Sequence, residues 1–274
     1  FGFFHPTLPH EPLIFIEVAL TDRISDTVAP LLDPASPVAD PARADCAIFY
    51  SITNCQEGLR GISFGNLLIK QVAENLGREF PRVRTFATLS PIPDFRAWLE
   101  KASKGTATSE APDQAEVQRV LSALSQSQWA DDEALRDSLQ PSLVRLCAHY
   151  LLQAKKGLEP LDSVARFHLG NGARLERLNW LADNSDAGMK RSGGLMVNYV
   201  YRLDDVERNH EAYANGHRVI ASRRIEALAR EALAGHGKSD GANAAAADPA
   251  ATGTDRGQYA DDHPLKPGNV PAVS

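Results

Sequence analysis

Cysteine is scarce in this chain. Cys46, Cys55 and Cys147 are the only three among 274 residues, and no two stand in a C-x-x-C pair. An odd, sparse set excludes a disulfide scaffold and a cysteine-based zinc site, and it fits a reducing compartment. No metal is expected. Basic charge is not in excess either: 29 Lys and Arg face 35 Asp and Glu, a formal net charge of -6, and the basic residues are dispersed. That balance leaves no footprint for nucleic acid. No apolar run reaches the length of a membrane span and no signal peptide opens the chain. Neither membrane nor secretory route is indicated, and the cytoplasm is the expected compartment. The chain starts at Phe1 rather than Met, which reads as a piece lacking a preceding portion. At 43% hydrophobic and 23% charged, it suits a globular protein of one large or two modest domains with room for a core.

What is present is organised around residues 46–93. Residues 46–53 are a short apolar run rich in β-branched and aromatic residues, the pattern of a buried strand. Three glycines, Gly58, Gly61 and Gly65, follow where the chain leaves that strand, and Phe64, Leu67, Leu68, Val72 and Leu76 then repeat at helical spacing. Residues 83–89 form a second strand, and strands joined through a helix commonly lie parallel. The turn carries neither the Gly-Lys-[Ser/Thr] end of a P-loop nor G-x-G-x-x-G. Its string Arg60-Gly61-Ile62-Ser63-Phe64-Gly65 resembles the R/Q-x-x-G-x-G/A pyrophosphate loop of the GNAT acyltransferase superfamily, with Ser63 in place of the middle glycine. Backbone N–H groups at a glycine-flanked helix start form a cradle for phosphate. A strand-to-helix turn without a ligand has the same local pattern.

Along the rest of the chain, residues 12–20 predict a core strand, residues 24–32 a short helix and residues 33–41 a surface loop. A helix capped by Asp94 is expected over 94–102, a loop over 103–113, and helices over 115–124 and 141–153. Residues 173–182 read as helix, 195–203 as a last strand, and Ala221, Ile225, Leu228, Ala229 and Ala232 as the stripe of a final helix. From His236 onward large apolar residues are almost absent, so residues 236–274 are expected to be disordered.

Two side chains stand out as candidates for chemistry. Ser90 follows the 83–89 strand in Leu89-Ser-Pro-Ile-Pro93, where two prolines hold the backbone. It does not sit in a G-x-S-x-G elbow, and Pro91 has no N–H to serve as oxyanion donor, so a positioning hydrogen bond suits it better than nucleophilic attack. A turn serine bonded to its own backbone has the same signature. His168 stands between Phe167 and Leu169, just before Gly170-Asn171-Gly172. A satisfied core histidine fits that setting too. Tyr199 and Tyr201 alternate on the last strand and share a face; His149 reads as structural.

An ordered series of strings over about residues 1–235 carries a wider resemblance. His5-Pro-Thr-Leu-Pro9, Gln56-Glu-Gly-Leu-Arg-Gly61, Thr88-Leu-Ser-Pro-Ile-Pro93, Phe167-His-Leu-Gly-Asn-Gly-Ala173, Asn179-Trp-Leu-Ala-Asp183 and Gly194-Leu-Met-Val-Asn-Tyr199 resemble the catalytic domain of the malonyl-CoA decarboxylases. The resemblance implies an α/β fold with a GNAT-like mixed central sheet flanked by helices over 1–235, and a helical insertion at about 103–160. It also implies a family helical domain, involved in homo-oligomer formation, that this chain lacks. It places the family's catalytic serine on Ser90, its histidine on His168 and its supporting tyrosine on Tyr201. Coenzyme A falls on Gln56, Glu57, Gly58, Leu59, Arg60, Gly61, Ile62, Ser63, Phe64 and Gly65. Animal members carry a glutamate where this chain has Ser63.

The implied reaction turns malonyl-CoA into acetyl-CoA and carbon dioxide. It needs no separate cofactor, because the thioester carbonyl accepts the electrons as an enolate; the protein orients the carboxylate, steadies the oxygen and supplies a proton. Neutral donors from Ser90 and Tyr201 orient the carboxylate without over-stabilising it, and an ordinary imidazole at His168 suits proton donation near neutral pH. Two other readings stay open: a GNAT acetyltransferase using acetyl-CoA and an amine acceptor, for which no acidic base is evident, and a non-catalytic CoA-binding module.

Overall fold

The chain opens as a hairpin that the sequence pattern did not announce. Strand β1 (Gly2–His5) pairs antiparallel with β2 (Leu8–Thr21). Within β2, Ile14 and Ile16 are buried while Phe15 between them is exposed, so the expected strand over 12–20 is present but gives only one face to the core. The structure, a computed structural model, describes residues 1–59, 65–105, 112–126 and 128–234. The expected tail lies outside them.

The helix expected over 24–32 shrinks to one turn, α1 (Ala29–Leu32), with a proline in its first positions. The backbone before it is occupied otherwise. The carbonyls of Ile24 and Ser25 accept from the Arg177 guanidinium, and Ser25 also accepts from Asn198, so they are not available for helical bonds.

The organising unit forms as expected. Strand β3 (Cys46–Asn54) runs antiparallel to β2, with Cys46, Ala47, Ile48 and Phe49 all buried. Helix α2 (Gly65–Glu79) turns Ile69, Val72, Ala73 and Leu76 into the core and returns the chain to β4 (Thr85–Thr88), parallel to β3. The side chains of Phe64, Leu67 and Leu68 lie outside the described residues.

After β4 come β5 (Ser90–Pro91) and α3 (Phe95–Ala102). Asp94 stands at the N-cap of α3, but its side chain makes no capping bond, contrary to expectation. Helix α4 (Gln114–Leu124) is followed by α5 (Glu133–Gln153), which starts well before the expected Pro141. Asp132 caps it by accepting from the Leu135 N–H at 3.0 Å. Pro141 therefore sits inside the helix, where it costs about 3 kcal/mol; burial of Leu139, Leu143, Leu146, Tyr150 and Leu151 on the same helix offsets this.

A small hairpin, β6 (Lys155–Lys156) and β7 (Glu159–Pro160), leads into α6 (Ser163–Gly170). Residues 173–182, expected to be helical, instead hold β8 (Arg174–Asn179), antiparallel to the last strand. A bulge between Leu175 and Arg177 explains the misreading. It breaks the period of two and leaves Leu175 and Leu178 at a spacing that mimics a helix. Then come α7 (Asp186–Ser192), β9 (Met196–Tyr201), α8 (Val206–Gly216) and α9 (Arg223–Ala234), the last packed on α5.

The fold is mixed α/β. Among the described residues the main sheet has the order β1-β2-β3-β4-β9-β5, with β8 also on β9, and it mixes parallel and antiparallel pairs. No helix among them is long and apolar enough to cross a membrane. Two irregularities in this sheet prepare the site. First, β3 and β4 pair as far as Phe49 and Thr88 and then part: Tyr50 to Asn54 stay beside β2, while Ser90 and Pro91 pair with β9. Second, the contact with β9 is interrupted. Phe86 and Ala87 pair with Tyr201 and Val200, Ser90 and Pro91 with Val197 and Met196, and Thr88 and Leu89 lie opposite the gap.

Candidate active site

Side chains close that gap. The Thr88 Oγ1 accepts the Tyr199 N–H at 3.1 Å, and the Thr88 carbonyl accepts from Asn198 Nδ2 at 2.7 Å. Thr88 and Ser90, two apart on an extended chain, face the same way. The Ser90 hydroxyl is hydrogen-bonded to Thr88 Oγ1 at 2.9 Å. All of this is buried: Thr88 is 0% exposed and Ser90 6%.

His168 reaches the same point from α6, in the last turn before the glycine turn. Asp162 caps that helix by accepting from the Ala165 N–H at 2.8 Å. The helix stops at Asn171 and Gly172, the latter at φ +78°, and the Ala173 N–H returns to the His168 carbonyl at 3.0 Å. This fixes the imidazole over the sheet, with Nε2 3.0 Å from Ser90 Oγ and Nδ1 2.8 Å from the Tyr201 hydroxyl. Two hydrogen arrangements fit these distances: with Ser90 donating to Thr88, Nε2 donates to Ser90 and Nδ1 accepts from Tyr201; with Thr88 donating to Ser90, Ser90 donates to Nε2 and Nδ1 donates to Tyr201. The resulting row runs Tyr201, His168, Ser90, Thr88. Tyr199 stacks under the imidazole, centroids 4.6 Å apart.

Electrostatics follow from burial. Loss of water pushes the His168 imidazole down to about 3, so it is neutral at physiological pH. The charged donor expected from an ordinary histidine is therefore not the resting state. Burial likewise pushes the Tyr201 phenol well above its ordinary value. Behind the row, burial pushes Asp162 up to about 6, partly offset by hydrogen bonds from the Ala165 N–H and the Tyr150 hydroxyl.

Ser90 and His168 line a cavity of about 930 Å³, together with Ile16, Phe49, Phe167 and Tyr213. It occupies the space where β3 and β4 part, and Tyr50 to Asn54 form one wall. Arg166 also lines it, but its guanidinium is held by the Pro160 and Leu161 carbonyls at 2.8 Å each. The exposed Glu159, which sequence reasoning did not single out, is the one carboxylate among its described lining residues. Among the described residues no group of three or more His, Cys, Asp or Glu is placed for a metal.

Of the expected CoA-binding stretch, Gln56, Glu57, Gly58 and Leu59 continue from the end of β3, and Gly65 begins α2. The Gln56 side chain donates to the Pro12 carbonyl at 3.3 Å. Arg60, Gly61, Ile62, Ser63 and Phe64 lie outside the described residues, and with them the G-x-S-x-G string that residues 61–65 also spell. His149 is buried on α5 beside the Trp98 ring. Sequence reasoning also passed over Thr88, which bonds Ser90; its one trace was the Thr-x-Ser spacing at a strand end.

The family model described as malonyl-CoA decarboxylase C-terminal domain matches residues 1–239. The chain belongs to the malonyl-CoA decarboxylase family. It is 39% identical over 244 residues to the mitochondrial malonyl-CoA decarboxylase of Rattus norvegicus, covering 82% of this chain and 50% of that protein. The crystal structure of malonyl-CoA decarboxylase from Rhodopseudomonas palustris is similar at a TM-score of 0.78 and 50% identity, over 83% of this chain and 52% of that one. The Agrobacterium vitis enzyme gives a TM-score of 0.75 and 46% identity, over 83% of this chain and 56% of that one. The chain thus spans about half the length of the curated relatives it matches.

Proposed function

We propose that this domain carries the decarboxylation of malonyl-CoA to acetyl-CoA and carbon dioxide, with Ser90, His168 and Tyr201 as its working side chains. The observation that carries the reading is the buried Tyr201–His168–Ser90 row, opening on a cavity between two parting strands in a chain of this family. Parting leaves the edges of β3 and β5 that face each other without a strand between them. The amide-bearing arm of coenzyme A is the right shape and chemistry to enter there, with its diphosphate toward the start of α2.

The proton is the step that the neutral imidazole makes interesting. The substrate brings its own carboxylate into a site of low polarity, and a nearby negative charge favours the imidazolium form that burial alone suppresses. His168 therefore takes a proton as malonyl-CoA binds. When the carbon–carbon bond breaks, carbon dioxide leaves and the electron pair moves into the thioester, forming an enolate. Ser90 passes its hydroxyl proton to the enolate carbon and regains one from Nε2, and His168 returns to neutral. Tyr201, held protonated by burial, keeps the ring oriented throughout.

The test follows carbon dioxide and acetyl-CoA from malonyl-CoA with no acceptor present. Equal amounts of both are expected, with His168→Ala and Ser90→Ala each lower by about 10² to 10⁴ in rate. An acetyltransferase reading would draw on Glu159 as base; acetyl transfer to an amine without loss of carbon dioxide would select it. Binding of CoA with neither reaction would select a non-catalytic module.

A further inference from the structure

We infer that Thr88 is a positioning residue for the decarboxylation, acting through the Ser90 hydroxyl; the inference rests on the reading proposed above. The argument begins in the sheet. At Thr88 and Leu89 the pairing with β9 lapses, although it resumes with Ser90 and Val197. An interrupted ladder leaves buried backbone groups that need partners. The Thr88 side chain fills one such place by accepting the Tyr199 N–H at 3.1 Å, and Asn198 fills another by donating to the Thr88 carbonyl at 2.7 Å. Asn198 is itself held, its Oδ1 accepting from Asn179 at 2.8 Å and from Arg177 at 3.2 Å. Thr88 Oγ1 is thus fixed by the strand opposite before Ser90 is considered.

That fixed oxygen lies 2.9 Å from Ser90 Oγ. A hydroxyl has one hydrogen and two acceptor sites, so a pair of hydroxyls can reverse its hydrogen bond without moving either oxygen. In the resting arrangement proposed here Ser90 donates to Thr88. When Ser90 turns its hydrogen toward the enolate carbon, Thr88 donates to Ser90 instead, and Ser90 Oγ stays 3.0 Å from Nε2. A carbonyl or amide N–H in the place of Thr88 would permit one direction only. The same pair sets the resting tautomer, because a Ser90 hydrogen pointed at Thr88 leaves Nε2 as the protonated ring nitrogen.

Thr88→Val keeps the shape and removes the oxygen; Thr88→Ser keeps the oxygen. We expect Thr88→Val to lower kcat by about 10-fold or more, the scale of one lost buried hydrogen bond, with KM for malonyl-CoA within about twofold. Thr88→Ser should recover most of that loss. Nitrogen-15 spectra of the imidazole supply a readout that needs no turnover: His168 should carry its hydrogen on Nε2 in the parent and shift toward Nδ1 in Thr88→Val. If the valine variant proves insoluble, Thr88→Ala is read by the same criteria. A valine variant with kcat within twofold of the parent, or a serine variant that falls as far as the valine one, overturns the inference. If the parent itself releases no carbon dioxide, the functional reading fails and the tautomer alone decides: a shift upholds the role of Thr88 in the row, and an unchanged tautomer removes it.

Discussion

The rings of His168 and Tyr199 lie nearly parallel, 26° apart with centroids separated by 4.6 Å. Tyr199 is fully buried, and its hydroxyl has no hydrogen-bond partner among the described residues. The ring therefore serves the site and the oxygen does not. Tyr199→Phe should keep kcat within about threefold and hold or raise the melting temperature, since an unpaired buried hydroxyl costs about 1–3 kcal/mol. Tyr199→Leu, which loses the stack, should lower kcat at least about 10-fold. Calorimetry and steady-state rates check both, and a phenylalanine variant as slow as the leucine one would restore a role to the hydroxyl.

Burial holds His168 neutral down to about 3. Because kcat/KM reports the free enzyme, its pH profile should show no His168 limb between about pH 5 and 8, where an unperturbed imidazole would turn near 6.5. Asp162, pushed up to about 6, is a group that can produce a limb in that range. Such a limb should vanish in Asp162→Asn. One that persists both there and in His210→Ala, which removes the other imidazole among the cavity's described lining residues, contradicts a neutral His168.

Asp162 also leaves a mark on stability. Its folded-state value is raised from 3.8 to about 6, so its favourable contribution is complete below about pH 4 and is lost as pH rises through 6. Between pH 4 and 7 the parent should lose roughly 2–3 kcal/mol relative to Asp162→Asn, from the size of that shift. Urea titrations of both proteins at the two pH values measure the difference. The His168 contribution runs the other way, present above 6.5 and lost toward 3, but it is common to both proteins and cancels.

Gly172 lies at φ +78°, and a Cβ there would sit 2.1 Å from the Val206 carbonyl oxygen. Gly172→Ala should destabilise by about 3 kcal/mol or more, through strain and clash together. Since this turn ends the helix bearing His168, turnover should fall in whatever fraction remains folded. Denaturant midpoints and rates per folded molecule test the two parts.

The sequence showed the β3–α2–β4 unit clearly because each piece kept its own period, β-branched runs for the strands and Ile69, Val72 and Leu76 for the helix. Local pattern singled out Ser90 and His168 as candidates, and the resemblance pointed to both and to Tyr201; that the three meet at one point has no local signature. The sequence misled over β8, where a bulge put leucines at helical spacing, and over α5, where Pro141 looked like a start. Thr88 was passed over for a different reason, since a Thr-x-Ser spacing at a strand end does not by itself mark a site. Its role depends on a lapse in strand pairing, a property of the sheet and not of the residues around it.

His168 is delivered by α6, whereas Tyr201, Ser90 and Thr88 belong to the sheet. The row therefore straddles a docking plane, and both imidazole contacts stretch together if that helix lifts. Local openings of single elements need less free energy than global unfolding. On slow heating, catalysis should fade while the sheet is still intact, so the temperature at which half the turnover is lost would gauge the seating of one short helix.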